Sequence, residues 1–192
     1  MRYSIFLSAA AALALAACAQ TETTEETAAT ETAGTTAGEP AATGAMAESA
    51  PGTAAGAQGF VDQAAASDMF EIEAGKLAQQ KGTDPAIKAF GAMMVSEHTK
   101  STADLKTAAS EAGGLTVAPK LNPKQQSDLT ALQGASGNFD ALYKQQQVAA
   151  HEAALALLQA QAANGDAAPL KAFAAKTAQV VEKHLGEARK LP

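Results

Sequence analysis

From Phe60 to the end of the chain, apolar side chains recur every three or four residues, the period of a helix with one buried face. A first segment, 60 to 81, groups Phe60, Ala64, Ala74 and Ala78 around Glu71 and sets Asp62, Glu73, Lys76 and Gln80 opposite, until Gly82 stops it. Asp84 and Pro85 then read as an N-cap followed by proline at the first helical position, where its missing N–H costs nothing. The helix they open runs to about Ala112 and ends at Gly113 and Gly114. Its apolar side holds Ile87, Phe90, Met94 and Leu105, and with them His98; Ser96, Lys100 and Asp104 lie on the polar side.

Residues 115–138 form a long connection. Within it Asn122 and Pro123 repeat the cap-plus-proline signal and predict a short helix to about Gln133, before a breaker-rich run from Gly134 to Asn138. The next long helix, Phe139 to about Ala163, aligns Val148, His151, Leu155 and Leu158 away from Gln145, Glu152 and Gln159. After Asn164 and Gly165 a last helix, about 167 to 190, turns Leu170, Phe173, Thr177, Val181, His184 and Ala188 to one side. Pro169 is tolerated in its first turn, and Lys183, Arg189 and Lys190 suit the negative pole at its end. Two pairs of amphipathic helices with tight turns, joined by a connection long enough to cross the bundle, predict an all-α, ferritin-like four-helix bundle with a short extra helix in the middle connection.

The first 58 residues follow different rules. Met1 and Arg2 precede an apolar run from Ile5 to Ala17, shorter than the roughly 20 residues a membrane-spanning helix needs, and fit a signal sequence over 1–17. Leu15, Ala16, Ala17 and Cys18 resemble a bacterial lipoprotein box, which implies lipidation of Cys18. The absence of Asp from Ala19 and Gln20 then implies an outer-membrane lipoprotein facing the periplasm. The alternative is an ordinary cleaved signal beside an incidental cysteine. As the single cysteine of the chain, Cys18 has no internal disulfide partner.

Residues 18–58 are a Thr-, Ala- and Glu-rich stretch whose only large apolar side chain is Met46, so burial cannot offset the entropy of ordering it; it reads as a disordered acidic tether. Charge sharpens this division. The net charge of −6 resides in six tether glutamates, and residues 59–192 are close to neutral with no Lys/Arg-rich run, which argues against nucleic acid as a partner.

His98, His151 and His184 are the only histidines, and each falls on an apolar stripe; Glu71 holds the matching place on the first helix. Counted from the turns at ~1.5 Å per residue, all four fall within roughly one to one and a half turns of one another near mid-bundle. Three imidazoles and one carboxylate would suit a divalent transition metal such as zinc, iron, manganese or copper. Carboxylate-bridged di-iron chemistry is disfavoured, because the positions three residues before the histidines hold Val95, Val148 and Val181 instead of glutamate. The competing reading makes the histidines core residues, with Glu71 paired to one of them. Met94 belongs to the core stripe. Neither a nucleophile elbow nor a phosphate-binding loop occurs.

From Phe60 onward the chain resembles a bacterial envelope family known as domain of unknown function 4142. The likeness rests on 71–78 with Glu71, Glu73 and Lys76, on 86–100 with Phe90, Glu97 and His98, on 136–143 with Phe139, Asp140 and Tyr143, on Val148 to His151, on Leu170 and Phe173, and on His184 with Leu185. It implies a ferritin-like bundle with Glu71, His98, His151 and His184 as inward polar positions; Glu97 departs from the aspartate that the family usually places before the histidine. No reaction follows from membership. Two functions stand open: a membrane-anchored lipoprotein binding a metal inside the bundle, for metal handling or envelope stress, and a metal-free structural or interaction module. The one enzymatic class that the fold would suggest is a metal-dependent oxidoreductase.

Overall fold

The computed structural model describes residues 56–192; the signal-like run, Cys18 and the tether up to residue 55 lie outside the described residues. Five helices and no strand occur among the described residues: α1 Gly56–Lys81, α2 Pro85–Glu111, α3 Pro123–Gly134, α4 Phe139–Asn164 and α5 Ala168–Ala188. The long helices keep the expected order and nearly the expected bounds. The first begins one turn earlier than its apolar pattern, at Gly56, where Gln58 exchanges two amide bonds with the backbone of Thr116, of 2.7 and 3.1 Å.

Local chemistry sets the boundaries. Asp84 accepts from the Ala86 amide at 2.7 Å, ahead of Pro85. Asn122 and Gln125 form a reciprocal capping box, each side chain accepting from the other's backbone N–H at 2.9 Å. Two left-handed glycines, Gly113 and Gly114, turn the chain out of α2.

The core contacts fix the topology. Phe90, early in α2, shares an apolar cluster with Ala188 and Leu191, whereas Leu105, late in α2, shares another with Leu170 and Phe173; α2 and α5 are therefore antiparallel. Phe60 meets Leu157 and Leu158 while Phe70 and Ala78 meet Phe139 and Tyr143, so α1 and α4 are antiparallel too. With α1 packed on α2 and α4 on α5, the parallel helices α2 and α4 stand on a diagonal, and the segment between them returns along the bundle in the ferritin-like manner. The crossover helix α3 covers α1 and α4, where Lys81 Nζ meets the Leu132 and Gln133 carbonyls and Gln146 Nε2 donates to the Asp128 carbonyl at 3.1 Å. Of the face expected for α4, His151 and Leu158 are buried and Val148 and Leu155 are half-buried; Gln146, under α3, and Gln147 are buried as well.

The core is divided. One cluster fills the end that holds Phe60, Leu105, Leu158 and Phe173, and a second fills the end that holds Phe70, Ile87, Met94 and Tyr143. Burying each large side chain contributes about 1.5–3 kcal/mol, so either end alone is a substantial anchor. Between them the interior is polar.

Candidate metal centre

Four helices supply this polar layer. Asp68 and Glu71 come from α1, His98 from α2, Gln147 and His151 from α4 and His184 from α5, all of them buried. Each histidine faces inward because it occupies a core position of its helix: His98 follows Phe90 and Met94 at i+8 and i+4, and His184 lies between Val181 and Ala188.

The three rings form a nearly regular triangle. Centroid separations are 5.9 Å for His98 and His151, 5.7 Å for His98 and His184, and 5.6 Å for His151 and His184. The interplanar angles of 82°, 52° and 72° show that the rings present edges to one another and do not stack. One nitrogen of each lies within 4.8 Å of the other two.

The outer nitrogens are all held. His98 Nδ1 is 2.7 Å from Asp68 Oδ1, and the other oxygen of Asp68 accepts from Thr102 Oγ1 at 3.1 Å. His151 Nδ1 donates to the Gln147 carbonyl at 2.8 Å, and His184 Nε2 is 3.0 Å from Glu97 Oε2. What remains without a protein partner is His98 Nε2, His151 Nε2 and His184 Nδ1. Carboxylate and carbonyl acceptors on the outer nitrogens favour N–H there and leave lone pairs on the inner ones, the tautomers a metal requires.

Glu71 occupies a different place from the histidines. Its Oε1 is 3.6 Å from His151 Nδ1, the outer nitrogen, and neither of its oxygens has a protein hydrogen bond. The Tyr143 hydroxyl and both amide atoms of Gln147 are likewise buried and unpartnered. Among the described residues, the donors that meet within 4.8 Å are the three histidines.

Electrostatics differ around the triangle. Burial opposes the charged form of His98, but the hydrogen bond to Asp68 and the charge of Glu71 outweigh it and its pKa is raised. For His184, burial and the neighbouring His151 and His98 prevail over Glu97 and push it down to about 4. Burial, assisted by Glu71, raises the Tyr143 phenol and keeps it neutral.

Two carboxylates that hold these rings escape the sequence pattern. Asp68 stands one turn before Glu71 on the same side of α1, an i, i+3 spacing that ties it to the same face. Glu97 falls on the outer side of α2, with its side chain 44% exposed, yet its carboxylate reaches across to α5.

The chain belongs to the family described as Domain of unknown function (DUF4142), whose sequence profile matches residues 40–191. Comparison with curated proteins yields no match, and comparison with solved structures yields none.

Proposed function

We propose that this DUF4142 domain binds a divalent transition metal ion through His98, His151 and His184, and that the protein serves metal handling at the bacterial cell envelope. The observation that carries this reading is that three buried histidines bring one nitrogen each within 4.8 Å of one another, and that each ring has one nitrogen anchored and the other without a protein partner. A layer of buried polar atoms without partners costs about 1–3 kcal/mol per group, and ligand binding offsets it. A core used only for packing gains nothing from that arrangement.

Imidazole nitrogens suit zinc, iron and copper, and manganese with an added oxygen ligand. A metal held ~2.0–2.1 Å from each nitrogen in a tetrahedral array places them about 3.3 Å apart, so the rings draw inward on loading. Glu71 then faces the charged centre through His151 and supplies a compensating negative charge.

The envelope assignment rests on the lipoprotein-like sequence ending in Cys18, with the acidic tether spacing the domain from an outer membrane. Among the described residues no helix is long and apolar enough to cross a membrane.

The test is elemental analysis of the full-length chain, purified without a histidine tag and challenged with Zn²⁺, Fe²⁺, Mn²⁺ and Cu²⁺, beside a His98→Ala, His151→Ala variant. Near-equimolar metal in the parent and none in the variant is expected. No metal in either overturns the reading and returns the metal-free interaction module. Labelling with radioactive palmitate, lost in Cys18→Ala, tests the anchor.

A further inference from the structure

Three protein ligands leave a tetrahedral ion one position short. None of the carboxylates around the triangle is placed to fill it. Asp68 engages His98 Nδ1 with one oxygen and Thr102 with the other, and Glu97 engages His184 Nε2. Glu71 approaches His151 at Nδ1, the opposite edge from the unpartnered Nε2.

Beside the triangle the packing is incomplete. A cavity of about 20 Å³ is bounded by Asp68 and His98 and by residues one turn along from each histidine: Ser101 from His98, Ala154 from His151 and Val181 from His184. Of the three histidines His98 alone lines it, so the cavity adjoins the layer at His98, on the side of the Phe60 and Phe173 cluster. Its volume is enough for about one water molecule, and the hydroxyls of Ser101 and Thr177 on its wall can hydrogen-bond to one.

We infer that the trihistidine centre keeps one coordination position open toward this cavity and takes there a small exogenous ligand, water in the resting protein and a small inorganic anion when one is supplied. The inference rests on the metal reading above. A closed structural site holds its ion with protein atoms on every side, whereas three histidines plus an exchangeable position is the arrangement of sites that act on small molecules. The cavity's size limits that ligand to a few atoms.

The experiment uses the full-length chain loaded with Co²⁺, whose visible absorption reports its ligands, titrated with sodium azide. A saturable spectral change is expected at a cobalt content near one per chain. In Ser101→Leu, where the new side chain occupies the cavity, cobalt content stays near one while azide binds at least tenfold more weakly. Ala154→Leu fills the same space from α4 and replaces Ser101→Leu if that variant fails to fold. A cobalt-loaded parent whose spectrum ignores azide overturns the open position and leaves the metal site standing. Equal azide binding by parent and filled variants overturns the cavity as the ligand's place. Failure to take up cobalt overturns both this inference and the metal reading.

Discussion

Asp68 and His98, thirty residues apart on adjacent helices, meet at 2.7 Å with both side chains about 6% exposed. Thr102 completes the line: its hydroxyl lies 3.1 Å from Asp68 Oδ2 and 3.0 Å from the His98 carbonyl oxygen, two acceptors that share its one hydrogen. This chain holds the ring of His98 by Nδ1 and leaves Nε2 without a protein partner. Asp68→Ala is expected to leave all three proposed ligands in place but weaken metal binding about 10–100-fold. Competition with a chromophoric chelator measures it; unchanged affinity would show that Asp68 has no part in orienting the ring.

Metal loading should stabilise the fold, because the ion binds the assembled triangle and not the separated helices. At free metal 100 times the dissociation constant the gain is about 2.7 kcal/mol. Thermal unfolding with and without a chelator reads it as a rise in Tm of roughly 10 °C for a domain of this size. The His98→Ala, His151→Ala variant is expected to show no difference between the two conditions.

Gly75 and Gly91 bring the backbones of α1 and α2 together beside the buried polar layer. A Cβ on Gly75 would lie 2.6 Å from the Gly91 carbonyl oxygen, and one on Gly91 would lie 2.7 Å from the Gly75 oxygen and 2.7 Å from Ala78 Cβ. Gly91→Ala gains up to ~1 kcal/mol of helix propensity but forces the helices apart at a cost of about 1–3 kcal/mol. A net loss in urea unfolding is expected, with reduced metal affinity as Asp68 and His98 move away from each other. Gly134→Ala, where the added Cβ would meet nothing within 4 Å, is the matched control.

Asp140, in the first turn of α4, ties that helix to the turn between α1 and α2. Its carboxylate accepts from the Thr83 amide and hydroxyl and from the Asp84 amide at 2.9 Å. Burial would raise its pKa, but these bonds and the charge of Lys88 lower it below the ordinary aspartate value. The folded form therefore holds its proton more weakly than the unfolded chain. The resulting stability is complete above the unfolded pKa of ~3.9 and is lost as pH falls through the depressed folded value. Because the group is partly exposed, its contribution is about 1 kcal/mol. Asp140→Ala should be less stable than the parent at pH 6, and the gap should shrink below pH 4; an equal gap at pH 6 and pH 3 would refute the ionic origin.

Much of this architecture is legible in the chain itself. A helix repeats its geometry every 3.6 residues, so Phe60, Phe90, Leu158 and Phe173 disclose their buried faces without any knowledge of neighbours. For the same reason Glu71, His98, His151 and His184 stand out as polar groups on apolar stripes. Asp84 with Pro85 and Asn122 with Pro123 mark helix starts because capping is local chemistry. Counting rise per residue from those turns brings Glu71 and the three histidines within roughly one to one and a half turns of one another.

Tertiary packing decided what those groups touch. A wheel gives direction but neither reach nor partner, so Glu97, on the outer side of α2, gave no sign that its carboxylate extends to His184. Asp68 becomes a partner of His98 only once α1 and α2 pack against each other, which they do closely at Gly75 and Gly91. Glu71 shares the histidines' layer, yet the ring of His151 turns Nδ1 toward it and Nε2 away. The burial of Gln146 on α4 likewise depends on α3, whose Asp128 carbonyl accepts from it. Helical periodicity is a property of one segment, whereas a binding site is set by the angles, register and side-chain lengths of several segments together, and these are defined only once the core has closed.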